Sequence, residues 1–313
     1  MPQRKEISRG GSTMTFKDEP NPQRSAVDMF ERSALIAEEV PAEKGSGLNA
    51  IVVTNALTRR FGDLIAVDSL TISVQAGEVF GLLGPNGAGK TTVIKMLTTL
   101  LPATSGSASI GNFELAHHAS DIRRMIGYVP QMLSADGALT GFENLEVFAK
   151  LYDIPRSERS PRIHDALAFM DLAGVSNKLV RTYSGGMIRR LEIAESMLHH
   201  PQVLFLDEPT VGLDPTARHA VWEHIQQLRA EFGTTIFLTT HYMDEADSLC
   251  DRVAFMHNGK VTAIGTPSDL KASIGGNEVT LDDVFAHYTG GTLIEGDTYR
   301  DTARTRRTTQ RLG

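Results

Sequence analysis

Apolar residues in this chain fall into two kinds of pattern. Val79-Phe80-Gly81-Leu82-Leu83, Val203-Leu204-Phe205-Leu206 and Thr235-Ile236-Phe237-Leu238-Thr239 are nearly unbroken runs. Short runs without alternation predict strands buried on both faces of a parallel sheet. Ile65-Ala66-Val67 and Leu70-Thr71-Ile72-Ser73-Val74 alternate instead, which predicts two half-exposed strands of an antiparallel sheet. Ile51-Val52-Val53, Ala108-Ser109-Ile110 and Ile126-Gly127-Tyr128-Val129 add further strands. Arg252 to Met256 and Lys260 to Ile264 read as a hairpin, because Asn258-Gly259 between them suits a tight two-residue turn.

From about Ser134 to Val180 the spacing changes to three and four. Phe142, Leu145, Phe148 and Leu151 share one helix face, as do Ile163, Leu167, Met170 and Leu172. Met187 to His199, with Ser184 as N-cap, Thr216 to Arg229, and Leu281 to Tyr288 are three more predicted helices. The expected architecture is therefore α/β: a parallel-sheet core, an antiparallel β subdomain, and an inserted helical subdomain over about 134–199. Residues 1–50 are poor in apolar side chains and read as a disordered tail, with one short amphipathic stretch from Val27 to Val40. The ordered domain is expected over 51–274, and 275–313 form a short C-terminal segment ending in an Arg-rich tail.

Composition narrows the function. The 313 residues carry a net charge of −7, so the chain as a whole is not a basic nucleic-acid binder, although a local basic patch is compatible with it. Cys250 is the single cysteine, which excludes an internal disulfide and a cysteine-cluster metal site. No apolar run approaches the roughly 20 residues that span a bilayer, and the N-terminus has no segment of signal-peptide character. The expectation is a protein kept in the cytosol, whose membrane role, if it has one, needs a spanning partner.

The chemistry concentrates where buried strands end. Gly84-Pro85-Asn86-Gly87-Ala88-Gly89-Lys90-Thr91-Thr92 follows one such strand and opens a helix at Val93. Glycines at this spacing let successive N–H groups wrap a phosphate, and the helix dipole adds positive potential. Lys90 then reaches the β- and γ-phosphates, and the Thr91 hydroxyl is a Mg²⁺ ligand. Asp207 and Glu208 end the run at Val203, suited to hold the metal and to polarise an attacking water; an N-cap and a surface charge are the plain alternatives. His241 and Gln131 also follow strands, each with a bland reading as a turn residue. Ser184-Gly185-Gly186 is either a second anion site or an ordinary capped helix start, and spacing does not decide between them.

In this order the motifs resemble the ATP-binding-cassette (ABC) ATPase family, over roughly Ile51 to Ser273. The resemblance places Phe61 as the aromatic stacking on adenine, Gly84 to Thr91 as Walker A and Gln131 as the Q-loop glutamine, a Mg²⁺ contact. Tyr183-Ser184-Gly185-Gly186-Met187 matches the signature, Val203 to Asp207 Walker B, and Glu208 the catalytic glutamate. Gly212-Leu213-Asp214 matches the D-loop and His241 the switch histidine. Tyr183 and Met187 depart from the usual signature; with Thr280-Leu281-Asp282-Asp283-Val284-Phe285 they look like the daunorubicin-type drug-resistance exporter subgroup. Members of that subgroup carry a longer stretch before the position of Thr280, so an accessory domain is expected to be missing here.

What the resemblance implies is an ATPase subunit using ATP and Mg²⁺, working as a head-to-tail homodimer, or paired with a second ABC ATPase. Two nucleotides would lie between the phosphate loop of one subunit and Ser184-Gly185-Gly186 of the other. A separate permease would hold it at the cytoplasmic face of the membrane, with no nucleic acid as partner. The alternative is a soluble ABC ATPase acting on a protein or nucleic-acid assembly. A GTPase is set aside, because Asn177-Lys178-Leu179-Val180 lacks the aspartate that reads guanine. The arginines from Arg300 to Arg311 suit either anionic lipid or solvent.

Overall fold

The computed structural model describes residues 50–275 and 279–290. The amphipathic stretch Val27 to Val40, nearly all of the expected tail, and the Arg-rich terminus lie outside the described residues.

The described chain starts as a long hairpin, β1 (Ala50–Phe61) and β2 (Leu64–Gln75). Next come β3 (Val79–Leu83) and α1 (Lys90–Leu97), then β4 (Ser105–Ile110), β5 (Phe113–Glu114), α2 (Ala119–Met125) and β6 (Ile126–Val129). Two helices follow, α3 (Gly141–Leu151) and α4 (Arg156–Phe169), then α5 (Gly185–Met197), β7 (Val203–Asp207), α6 (Pro215–Phe232) and β8 (Thr235–Thr240). The chain closes with α7 (Met243–Leu249), β9 (Arg252–His257), β10 (Lys260–Gly265), α8 (Pro267–Ile274) and α9 (Leu281–Thr289).

One sheet has the order β2-β1-β4-β5 and is antiparallel; the other has the order β10-β9-β3-β8-β7-β6. In the second sheet all neighbours are parallel except the edge pair β9–β10. The unbroken apolar runs are its central strands, and their two faces feed two cores. Phe80, Leu82, Phe205 and Phe237 point to the side shared with α1 and the antiparallel sheet. Val79, Leu83, Leu204, Leu206 and Leu238 point to the side covered by the later helices. The side-chain period of two along a strand produces this division. Phe237 lies with its ring centroid 5.4 Å from those of both Phe80 and Phe205, which packs three neighbouring strands through one layer.

Predicted boundaries differ in several places, with β1 running on to Phe61 and α1 starting at Lys90, and two of the differences have a backbone cause. Ile65–Val67 and Leu70–Val74, read as two strands, form the single strand β2. Register shifts in the β1–β2 ladder and a positive φ at Ser69 (54°) absorb the break in alternation. Met170 and Leu172, read as part of one helix face with Ile163 and Leu167, lie beyond the end of α4; a positive φ at Asp171 (55°) turns the chain so that both remain buried. Helices α2, α7 and α8, of seven or eight residues, were not legible in the spacing.

Candidate nucleotide site

The loop between β3 and α1 is fixed from three sides. Gly84 N–H donates to the Thr240 carbonyl at the end of β8 (3.3 Å), and Ala88 C=O accepts from Gly259 N–H in the β9–β10 turn (3.0 Å). Gly259 in turn accepts from Asp68 of β2 (2.8 Å). Gly89 enters α1 with φ 109°, and a Cβ there would collide with the Ala66 carbonyl oxygen, so only glycine suits the position. No side chain caps α1, so its first N–H groups stay available to an anion.

Three of the expected residues meet at the carboxylate of a fourth. Lys90 Nζ lies 3.1 Å from Glu208 Oε1 and also donates to the carbonyls of Gly84 (2.7 Å) and Pro85 (3.2 Å). Gln131 Nε2 donates to Glu208 Oε2 at 2.9 Å, and His241 Nδ1 lies 3.4 Å from the same oxygen. Burial pushes the Glu208 carboxyl up, but the nearby His241 imidazole and the Lys90 charge outweigh it and hold the group below the usual carboxylate range. Glu208 has φ 49°, uncommon for a residue other than glycine, and its N–H is tied to both the carbonyl (3.1 Å) and the hydroxyl (3.0 Å) of Thr239.

Asp207 sits beside this cluster. Its Oδ1 accepts from Thr239 Oγ1 (2.7 Å) and Thr91 Oγ1 (3.2 Å). Burial raises its pKa, with the two hydroxyls working in the opposite direction. A buried carboxylate beside a hydroxyl is a hard-oxygen donor set, and one that a divalent cation would favour in its ionised form. The residues present therefore fit Mg²⁺.

The other expected residues stand elsewhere. Phe61, 45% exposed at the end of β1, packs its ring under the Arg59 guanidinium (4.5 Å). Ser184 caps α5, accepting from Met187 N–H (3.3 Å), with its own side chain and Gly185 exposed. Gly186 packs against Ala217 at the start of α6, and Asp214 caps that helix by accepting from Ala217 N–H (3.0 Å). Ser184-Gly185-Gly186 thus abuts the Asp214 segment and takes no part in the Lys90–Glu208 cluster. Asn86 and Gly87 are exposed at the loop tip, and Thr92 is half-buried in the first turn of α1.

Thr239 was missed by the sequence reading, which counted it within an apolar strand. Its signal was chemical: Thr239-Thr240 put two hydroxyls at the carboxyl end of a buried strand, where ligands sit in open parallel sheets. Arg189 and Glu192 were missed too, although two charges three residues apart in a helix flanked by buried apolar positions imply a buried pair.

Comparison with known proteins places this geometry. The ABC transporter family model matches residues 67–211. The chain is 44% identical to the daunorubicin resistance ATP-binding protein DrrA3 of Streptomyces coeruleorubidus, over 74% of this chain and 73% of that protein. It is 41% identical to the Nod factor export ATP-binding protein I of Ralstonia nicotianae, over 74% and 72% respectively. Among solved structures, an ATP-binding subunit of an ABC transporter matches with TM-score 0.68 and 30% identity, covering 76% of this chain and 99% of that one. A dimeric, post-hydrolysis ATP-binding cassette bound to ADP and Pi matches with TM-score 0.62 and 25% identity, covering 69% and 98%.

Proposed function

This chain belongs to the ABC transporter family, as an ATP-hydrolysing subunit of the drug-resistance and export type, and from that premise we propose that it powers a separate membrane permease through a two-nucleotide homodimer. Similarity to drug-resistance and export subunits supports drug-like or lipidic compounds as cargo. The observation that carries the site assignment is the convergence of Lys90, Gln131 and His241 on Glu208, with Thr91 and Asp207 alongside. The ATPase domain is assigned to 51–274, with the helical subdomain about 134–199 inside it and 275–313 as a C-terminal segment.

In this reading Gly84 to Thr92 cradle the phosphates, with Pro85, Asn86, Gly87, Ala88 and Gly89 supplying backbone, and Lys90 neutralises β- and γ-oxygens. Thr91, Asp207 and Gln131 would hold Mg²⁺. Bound there, the cation draws charge from the phosphoryl oxygens. Glu208 orients and polarises the attacking water, and His241 stands beside the same carboxylate to support it. Phosphoryl transfer makes little other demand on the protein than placement and charge. Phe61 offers a ring to adenine. The exposed Ser184-Gly185-Gly186 segment lies apart from the chain's own Lys90, which supports its use on the nucleotide of a second copy, with Asp214 near that junction.

No helix among the described residues is long and apolar enough to cross a membrane, so transport on this reading requires the permease. The permease would hold the chain at the cytoplasmic face. The test is purification of the tagged chain from gently solubilised membranes, followed by reconstitution. A polytopic protein that co-purifies and moves cargo only with ATP is the expected result. A chain recovered with a soluble protein or nucleic-acid assembly would favour the alternative function instead.

A further inference from the structure

Arg189 is among the largest side chains of this protein that are fully buried. Its Nη1 donates to the Pro130 carbonyl and its Nη2 to the Gln131 carbonyl, each at 2.7 Å. One turn later on α5, Glu192 lies 3.0 Å from the same guanidinium, with both side chains 2% exposed. Glu192 Oε1 accepts from the N–H groups of Ser134 and Ala135, and from Ser134 Oγ at 3.2 Å.

Two side chains of one helix thus grip two carbonyls and two amides of the segment that follows β6. That segment belongs to no helix or strand, and Gln131, Met132 and Leu133 within it are exposed. Apart from the Ser134 hydroxyl the grip is on main chain, which leaves the Gln131 amide free to reach Glu208. Burying a guanidinium is costly without full pairing, and its planar fork suits two successive carbonyls in a way that an ammonium does not. The same helix begins, five residues before Arg189, at the Ser184 cap.

We infer that Arg189 and Glu192 clamp the Gln131 segment to the Ser184 helix, so that Gln131 and the Ser184-Gly185-Gly186 end of α5 move as one body. Arg189 is then a positioning residue for hydrolysis: through the Gln131 carbonyl it keeps the Gln131 amide on Glu208 and ties it to the helix that presents Ser184 to a second copy's nucleotide. The inference rests on the roles proposed above for Gln131 and Ser184.

The test uses the full chain, with ATP binding and phosphate release measured separately for Arg189→Lys, Gln131→Ala and the double variant. Lysine keeps a charge beside Glu192 but does not span both carbonyls. Contacting residues share their effects, so Arg189→Lys is expected to lower kcat about tenfold with ATP affinity within about threefold, and the double variant to be no slower than Gln131→Ala alone. Multiplying losses in the double variant would overturn the clamp while leaving the role of Gln131 intact. Normal turnover in Gln131→Ala would refute that underlying role and the inference with it.

A second measurement needs no substitution. In the wild-type chain, hydrogen exchange at the Ser134 and Ala135 amides and at the first turn of α5 is expected to respond to ATP with one midpoint. A response in one segment without the other contradicts the clamp.

Discussion

The Lys90 ammonium and the Glu208 carboxylate lie 3.1 Å apart, and both side chains are at most 5% exposed. A phosphate group drawn to Lys90 therefore enters a site whose cation already has an acidic partner. Glu208→Gln preserves shape and an acceptor for Gln131 while removing that charge. ATP affinity is expected to stay intact or rise, and turnover to fall by about 10²-fold or more, the range for losing a general base. Equilibrium binding and phosphate-release assays on the same preparation check this; near-normal turnover would remove Glu208 from the reaction.

Thr239 supplies the shortest hydrogen bond to Asp207 and accepts from the Glu208 N–H. Thr239→Val keeps the volume and removes one partner from each group, leaving Asp207 its Thr91 bond and the Glu208 N–H its bond to the Thr239 carbonyl. Loss of buried hydrogen bonds predicts destabilisation of about 1–3 kcal/mol, together with a higher Mg²⁺ concentration for half-maximal turnover. Urea unfolding and a Mg²⁺ titration separate the two effects. An unchanged Mg²⁺ midpoint would mean that Asp207 does not act through the metal.

Gly186 approaches α6 closely: a Cβ added there would lie 2.7 Å from the Ala217 Cβ. Neither atom belongs to a flexible side-chain tip, so Gly186→Ala must move the start of α5 relative to α6. The expected outcome is a chain that binds ATP normally through its phosphate loop and hydrolyses it at a fraction of the wild-type rate. Nucleotide binding lost in parallel with hydrolysis would contradict the separation of the two sites.

Glu195 gives a pH signature outside the site. Burial, and next the Glu192 charge, push its carboxyl from 4.5 up to about 8, and its Oε1 has no hydrogen-bond partner among the described residues. Between those values the unfolded chain releases a proton that the folded chain keeps. Stability therefore falls as pH rises through that window, by at most about 1.4 kcal/mol per unit. Glu195→Gln is expected to flatten this slope and to stabilise the protein more at pH 8 than at pH 5. Urea midpoints that run parallel in the two proteins would rule the effect out.

Much of the fold and of the site is legible in the sequence. Unbroken apolar runs are local and fully buried, so β3, β7 and β8 followed directly, and the segments after β3, β6 and β8 supply the residues brought to Glu208 at the end of β7. Ser184 as a cap was equally local. The strand β2 was harder, because its irregular pairing with β1 breaks the alternation that sequence reading depends on. Helices α2, α7 and α8 are too short for a periodic signal and are held by tertiary packing. Thr239, Arg189 and Glu192 act through partners 32, 58 and 58 residues away, and no short-range spacing encodes such pairs.

The central claim is that one chain carries half of each hydrolytic site: Lys90 and Glu208 on one face, Ser184 to Gly186 for the neighbour. The direct measurement is turnover per chain across a range of protein concentrations, with molar mass determined by light scattering in the same samples with ATP and Mg²⁺. Specific turnover is predicted to rise with concentration and to track the dimer fraction, while ATP binding per chain stays constant. Full, concentration-independent turnover by a chain shown to be monomeric would contradict the account.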